Sequence, residues 1–421
     1  MNFKGSNMVL VHQNNKSKIL QTLFFHAPIS RIEIANITSL APPTITSNIA
    51  GLIDAKLVAE CGKTSGQGSD AALGRKPILL DIVNDAAYAI GADWGPNGII
   101  CSVTDLRGNV LDKARSPVKK WEVDSVINET SEMIKRLIKA NRLQKDKILG
   151  VGVGVPGFVE IETGIVRYSP VQGWKNINVG KELEDRIGLP VCVENNVRIM
   201  AIGEMLFSGW KNKTCGITGN FLYVFVGEGI ACAIVNNNEL LQGNISGAGQ
   251  LGHSIVVRDG TECRCGKLGC LETVASEYGI KKQVAEYMAG KTSAGNTSSV
   301  LKKEIKNPNN PSIGEILSAW DKGDKKTAEI INEGIYYLGC SIANVINLIN
   351  PKLVLVDGQV FSRPDLKTRL RETVREHIFA LTDSETEFEF KDYDIDRCSA
   401  GGAACAIRHF LFNGGRPGPL A

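Results

Sequence analysis

One stretch restricts this chain more than any other. His253 is followed by Cys263, Cys265 and Cys270, so one imidazole and three thiols fall within eighteen residues. Zinc favours tetrahedral nitrogen and sulfur ligands, and a closed Cys3His set leaves no position for a reacting water. The expectation is therefore a structural zinc loop. Gly266 and Gly269 permit the tight turn that folds Cys270 back towards Cys263 and Cys265. Structural zinc supplies about 10–16 kcal/mol in small peptides, so losing one ligand is expected to unfold the loop. Free buried thiols or a redox switch are the alternatives, and the histidine partner argues for metal.

The remaining chain has ordinary globular composition. Its 421 residues, 43% hydrophobic and 22% charged, leave room for two or three domains. No apolar run is long enough to span a bilayer. Residues 1–18 lack the apolar stretch of a signal peptide. A cytoplasmic chain without a membrane partner is expected. Eleven cysteines are present, but Cys101, Cys192, Cys232, Cys340 and Cys405 stand singly in apolar runs, as reduced buried thiols do. The net charge of +3 says little, yet its distribution is uneven. Before Asp81 there are eight basic and four acidic residues. A basic head on a near-neutral body fits phosphate binding.

That head reads as three short helices. Over 15–26, Ile19, Leu20, Leu23 and Phe24 share one helical face, and Pro28 stops the helix. Ser30 and Glu33 have capping-box spacing, starting a second helix that carries Ile34, Ala35 and Ile37 inward. A third begins at Pro42-Pro43, where proline suits the unpaired first turn. Ile45, Ile49, Leu52 and Ile53 form its buried stripe, with Thr44, Ser47 and Asn48 opposite. Residues 57–59 read as a strand, and 62–74, rich in Gly, Ser and Lys, as a wing tip or linker. The pattern is that of a winged helix-turn-helix. Thr44, Ser47 and Asn48 give its third helix a small, polar, uncharged outward face. Arg75, in Gly74-Arg75-Lys76-Pro77, reads either as a minor-groove arginine or as part of a basic linker.

Beyond about residue 86, strands and helices alternate. "AYAIGADWG", "GIICSVTDL" and "NVLDKARSPV" read as successive strands, 123–141 as an amphipathic helix, and "ILGVGVGVPG" as a buried strand. "PVCVEN" is a strand followed by a helix over 197–207. "FLYVFVGEGIACAIV" reads as a hairpin, 329–349 as a long helix, and "KLVLVDG" as a strand. The class is α/β.

These residues resemble the ROK family (repressors, open reading frames, kinases). The head stretch "RIEIANITSLAPPTITSNIAGLIDAKLVAE" is similar to the DNA-binding head of its regulators, although Ala41 stands where a serine cap is common. The resemblance implies that the third helix enters the DNA major groove, with Thr44, Ser47 and Asn48 as the base-facing residues. His253, Cys263, Cys265 and Cys270 match the family zinc motif ligand by ligand. The resemblance covers almost all of 86–421 and implies a two-lobed, actin-like (ribonuclease H-like) sugar-kinase fold. The expected divisions are a winged head over 1–63, a linker over 64–85, and the kinase-like domain over 86–421. Within that domain, lobe one takes about 86–193 with 395–421, and lobe two about 194–394.

The resemblance also implies a sugar site at Asn195, Asn196, Gln250, His253 and Glu272. Gln250 replaces the family's usual glutamate. Trp174 reads as a sugar-stacking or a core residue. The kinase positions depart from the family pattern. The first phosphate turn is Asp93-Trp94-Gly95-Pro96-Asn97, where Pro96 removes an amide donor. The second is Gly227-Glu228-Gly229, which sets a carboxylate against phosphate. The catalytic aspartate is Asn196, and an amide accepts no proton at neutral pH. No phosphoryl transfer is expected. What the resemblance implies is a repressor of carbohydrate genes, a homodimer or homotetramer on a pseudo-palindromic operator, with a sugar between the lobes as effector. A ROK sugar kinase that keeps a DNA-binding head, and a scaffold whose zinc lobe binds another protein, are the rival readings.

Overall fold

The computed structural model describes residues 8–63, 77–211, 217, 219–290, 298–383 and 385–412. They form two compact units, Met1–Ile217 with Ile395–Ala421, and Thr218–Asp394.

The first unit opens with α1 (Met8–His26), β1 (Ile29–Ser30), α2 (Arg31–Thr38), α3 (Pro42–Asp54), β2 (Val58–Lys63) and β3 (Ile78–Ile82). Ile19, Leu23, Ile34, Ile45, Ile49, Leu52 and Leu80 close a common core. Ser30 and Glu33 form the expected capping box. The Ser30 hydroxyl, and then its amide, hold the Glu33 carboxyl below its ordinary value. The strands make an antiparallel sheet in the order β1-β3-β2.

Three expectations change here. Helix α1 starts at Met8 rather than at 15, because apolar spacing marks only the buried turns, whereas the helix runs on ahead of them through the exposed Val11, His12, Gln13 and Asn14. Ile37 is 52% exposed, since a helix as short as α2 buries one narrow face, here through Ile34. Residues 78–82, expected in the linker, are the central strand of the head's sheet. The polar, glycine-rich 62–74 separates this strand from its partner and hides the pairing.

The main sheet of this unit comprises β4 (Tyr88–Gly95), β5 (Gly98–Asp105), β6 (Val110–Ser116), β7 (Ile148–Val155) and β11 (Val191–Asn195), in the order β11-β7-β4-β5-β6. Between β7 and β11 lie β8 (Phe158–Glu160), β9 (Ile165–Ser169) and β10 (Trp174–Asn178), a small antiparallel sheet. Helix α4 (Val123–Ala140) buries Val126, Ile127, Met133, Ile134 and Leu137. Helices α5 (Val179–Ile187) and α6 (Asn196–Lys211) flank β11 in sequence.

The C-terminal helix Arg397–Ile407 is built from small residues because it lies against bare backbone. A Cβ at Gly152 would stand 2.0 Å from the Gly402 carbonyl oxygen. Helix α6 also lies against it, a Cβ at Gly203 falling 3.2 Å from Gly401 Cα. This packing keeps residues 194–217 in the first unit. The first unit therefore runs on to Ile217, beyond the division expected after 193, and takes in the chain again from Ile395.

Arg107 joins the head to this sheet. Its side chain is 1% exposed and ion-paired with Asp81 of β3. It also donates to the Phe24 carbonyl over 3.4 Å and stacks on the Phe24 ring, 5.7 Å from its centre. Phe24 in turn meets Phe412 edge to face at 4.7 Å.

The second unit holds β12 (Phe221–Val226), β13 (Ile230–Asn236), β14 (Glu239–Leu240), β15 (Leu353–Asp357) and β16 (Glu387–Phe390), ordered β14-β13-β12-β15-β16. Its helices are α7 (Leu271–Ala275), α8 (Glu277–Met288), α9 (Ser299–Glu304), α10 (Ile313–Asp321), α11 (Lys325–Ile349) and α12 (Pro364–His377). The long α11 buries Ile331, Ile335, Leu338, Ile342 and Ile346 in the core that includes Leu222, Val224 and Val354 of the sheet. Among the described residues no helix is long and apolar enough to cross a membrane.

Candidate functional site

The outward face of α3 differs from the expected one. Ser47 is exposed and Thr44 half-buried, but Asn48 is buried at 7% exposure. Its Nδ2 donates to the Thr44 carbonyl at 2.8 Å. The reason is register. Counting three, four and seven from Ile45 places Asn48 on the same inward stripe as Ile49 and Leu52. The exposed positions of α3 are Pro42, Pro43, Thr46, Ser47, Ala50, Gly51 and Asp54, and Thr46 is a polar one beside Ser47 that sequence reasoning missed. Pro42 and Pro43 start the helix without a side-chain cap at Ala41. Arg75 lies outside the described residues.

In the second unit, the His253, Cys263, Cys265 and Cys270 donor atoms all lie within 4.8 Å of one another. Cys263 Sγ is 3.7 Å from His253 Nδ1, and Cys265 Sγ is 3.7 Å from Cys270 Sγ. The loop is folded by its own backbone. Cys263 N–H donates to the Lys267 carbonyl at 2.8 Å and Gly266 N–H to the Cys263 carbonyl at 2.8 Å. Gly269 has φ +73°, and a Cβ there would stand 1.7 Å from the Val257 carbonyl oxygen. Only glycine satisfies both conditions. The arrangement can hold a metal ion in a closed four-ligand set.

Cys270 directly precedes α7, whose first turn carries Glu272. The metal loop and Glu272 are thus one covalent piece. Glu272 is 8% exposed. One carboxylate oxygen accepts from Arg264 Nη2 at 2.9 Å and the other from the Ile230 amide at 3.3 Å. The turn Gly227-Glu228-Gly229 lies above it, a Cβ at Gly229 falling 2.7 Å from Glu272 Oε2. The Glu228 carboxylate is ion-paired with Lys281. Burial, and then the Glu228 charge, push the Glu277 carboxyl up to about 7. A groove of about 320 Å3 is lined by Glu228, Tyr278, Lys281, Lys282, Asn309 and Asn310 among others. Gln250 is half-buried and immediately precedes the helical turn Leu251–His253.

In the first unit, Asn195 ends β11 and caps α6. Its Oδ1 accepts from the Val197 amide at 2.9 Å and its Nδ2 donates to the Gly157 carbonyl at 3.0 Å. Asn196 is half-buried at the start of α6. The neighbouring Glu194 carboxylate is buried against Arg198 Nε at 3.1 Å. Pro96 and Asn97 form the exposed tip between β4 and β5. Asp93 is buried, which pushes its carboxyl up to about 6, and the Cys398 thiol donates to it over 2.9 Å. Trp174 is a core residue. Its ring meets Trp94 edge to face at 5.5 Å and its Nε1 donates to the Trp121 carbonyl at 2.7 Å.

Known proteins resemble this architecture along nearly its whole length. The ROK family profile matches residues 89–408. The xylose repressor of Caldicellulosiruptor bescii is 28% identical over 375 residues, which cover 89% of this chain and 90% of that protein. A glucokinase of Halalkalibacterium halodurans is 31% identical over 295 residues, covering 70% of this chain and 86% of that one. A crystal structure of a ROK family transcriptional regulator, described as a homolog of the E. coli MLC protein, is 28% identical. It superposes with a TM-score of 0.78 over 96% of this chain and 97% of its own. Coverage at that level takes in the three-helix head. The two five-stranded sheets with their helices are the α/β, actin-like kinase-type domain of these proteins, and the chain belongs to the ROK family.

Proposed function

We propose that this protein is a sugar-responsive transcriptional repressor of carbohydrate genes. The observation that carries the reading is the combination of a three-helix, three-strand head with a ROK domain, in a chain that a xylose repressor matches over 89% and a regulator structure over 96% of its length. The head is a winged helix-turn-helix spanning residues to 82. Thr44 and Ser47, joined by Thr46, face the bases from α3, and Arg75 reaches the minor groove. The protein works in the cytoplasm as a homodimer or homotetramer on a pseudo-palindromic operator.

The metal is zinc, bound for structure. A tetrahedron with arms of about 2.0–2.3 Å has edges of about 3.3–3.8 Å; the Cys263–His253 and Cys265–Cys270 separations of 3.7 Å fit that, and all four donors lie within 4.8 Å of one another. His253 turns Nδ1 to the thiols, which leaves Nε2 for a sugar hydroxyl. Asn195, Asn196, Gln250 and Glu272 supply the other hydroxyl partners. Asn195 keeps only part of its amide for this, since capping and the Gly157 bond use the rest.

The glucokinase likeness favours a kinase as the second reading. Three residues speak against it. Asn196 offers no general base. Pro96 withholds an amide from one phosphate turn, and Glu228 places a carboxylate in the other.

DNA from upstream of the protein's own gene is expected to bind specifically, with affinity falling steeply as salt rises. Replacing Thr44 and Ser47 together by alanine is expected to lower that specific affinity about 10-fold or more while sparing non-specific binding. Titrations by fluorescence anisotropy decide it. Equal affinity for the operator region and unrelated DNA of the same length would overturn the reading.

A further inference from the structure

Arg264 stands between two ligands of the metal loop, Cys263 and Cys265, yet its side chain takes no part in the ligand set. It leaves the loop and makes three contacts. Nη2 donates to the Glu272 carboxylate at 2.9 Å and to the Glu228 carbonyl at 2.8 Å. Its guanidinium lies over the Tyr278 ring, 4.3 Å from the centre. The Glu272 side chain is 10% exposed and Arg264 is its ion-pair partner, while the other carboxylate oxygen is met by the Ile230 amide. A buried carboxylate with one compensating cation depends heavily on that cation.

We infer that Arg264 is a positioning residue: it holds the Glu272 carboxylate in one orientation for a sugar's hydroxyls and ties that orientation to the state of the metal loop. This deepens the reading of Glu272 as a sugar-binding residue and rests on it. Two contacts fix the carboxylate plane, Arg264 at one oxygen and the Ile230 amide at the other. The remaining acceptor positions on the two oxygens are left to a polyol. The stack on Tyr278 and the bond to the Glu228 carbonyl fix the guanidinium itself. A planar fork can serve the carboxylate, the carbonyl and the ring together, which an ammonium cannot. Since Cys263 and Cys265 flank Arg264, the fold of the metal loop sets where the guanidinium sits, and through it the carboxylate.

The test uses the full-length zinc-loaded protein and two probes, D-xylose and D-glucose, with affinity measured by titration calorimetry. Arg264→Met keeps an apolar stem over Tyr278 and removes the donors. It is expected to keep one zinc per chain by elemental analysis, to bind operator DNA in the absence of sugar as the unaltered protein does, and to bind the sugar about 10- to 100-fold more weakly. Arg264→Lys keeps the charge and is expected to fall between the two. Glu272→Gln is expected to weaken sugar binding by itself. The double variant Arg264→Met with Glu272→Gln is expected to be no weaker than Glu272→Gln alone, because the arginine acts through that carboxylate. A general loosening of the fold would multiply instead. If Glu272→Gln loses affinity but Arg264→Met does not, or the two losses multiply, or Arg264→Met sheds its zinc, the role of Arg264 is overturned and the sugar site stands. If the unaltered protein binds neither sugar, or Glu272→Gln binds as well as it does, both fall together.

Discussion

Cys265→Ser is expected to empty the metal loop and to unfold it while leaving the DNA-binding head intact. Four ligands lie within 4.8 Å, and a closed site with one thiolate missing loses most of its hold on zinc. Zinc binding is worth about 10–16 kcal/mol in small peptides, and that energy is folding energy wherever no site preforms. The loop has little apolar core of its own, since Gly266, Lys267 and Leu268 are all exposed. Even a third of that loss lowers the melting temperature of a unit this size by about 10 °C. The effect stays local for a structural reason. The ligands and Glu272 belong to Thr218–Asp394, whereas the head belongs to the other compact unit. Elemental analysis is therefore expected to find little zinc in the variant. Calorimetry is expected to show one transition displaced downward, and operator binding without sugar to survive. A variant that keeps one zinc per chain and an unchanged transition would refute the ligand assignment.

Gly91→Ala is expected to be among the most destabilising single substitutions in the first unit. A Cβ at Gly91 would stand 1.7 Å from the Ser399 carbonyl oxygen and 2.5 Å from the Ala403 amide nitrogen. Both are backbone atoms of the C-terminal helix, so no side chain can swing aside. The helix itself would have to lift from β4 and β7. Overpacking in tight cores costs about 1–3 kcal/mol, and a clash with helix backbone belongs to the exceptional class above about 4 kcal/mol. Gly51→Ala is the control. Gly51 lies in α3 with nothing within 4 Å of the added carbon, and alanine in a helix is favoured by about 0.5–1 kcal/mol. Urea midpoints are expected to move in opposite directions, far down for Gly91→Ala and slightly up for Gly51→Ala. Equal midpoints for Gly91→Ala and the unaltered protein would contradict the described contact.

Much of this was legible in the residues, for reasons that differ from element to element. The alternating buried strands stood out because Ile148–Val155 and Phe221–Val226 are apolar without interruption, as strands covered on both faces must be. The cluster of His253 with Cys263, Cys265 and Cys270 was legible because the four residues are close in sequence. The small sheet β8-β9-β10 was not, since its strands alternate with exposed residues such as Tyr168 and carry no strong run. The central strand of the head was hidden because its pairing with β2 crosses a polar, glycine-rich stretch. Asn48 misled because polarity was read as exposure, whereas helix register places it beside Ile45 and Ile49 and its amide is satisfied by the Thr44 carbonyl. The boundary after 217 depends on glycine-to-glycine contact between α6 and the C-terminal helix, which are some two hundred residues apart in sequence.

A sugar-responsive repressor must bind DNA differently when its sugar is present. The most direct measurement is the affinity of the full-length protein for DNA upstream of its own gene, taken at fixed salt with and without D-xylose and D-glucose. The expected result is specific binding that one sugar shifts about 5- to 150-fold, the range of ordinary allosteric coupling. Glu272→Gln should bind the same DNA yet no longer respond. Specific binding that no sugar alters would contradict the sugar-responsive claim and leave a regulator answering to another signal. Absence of specific binding would contradict the repressor itself.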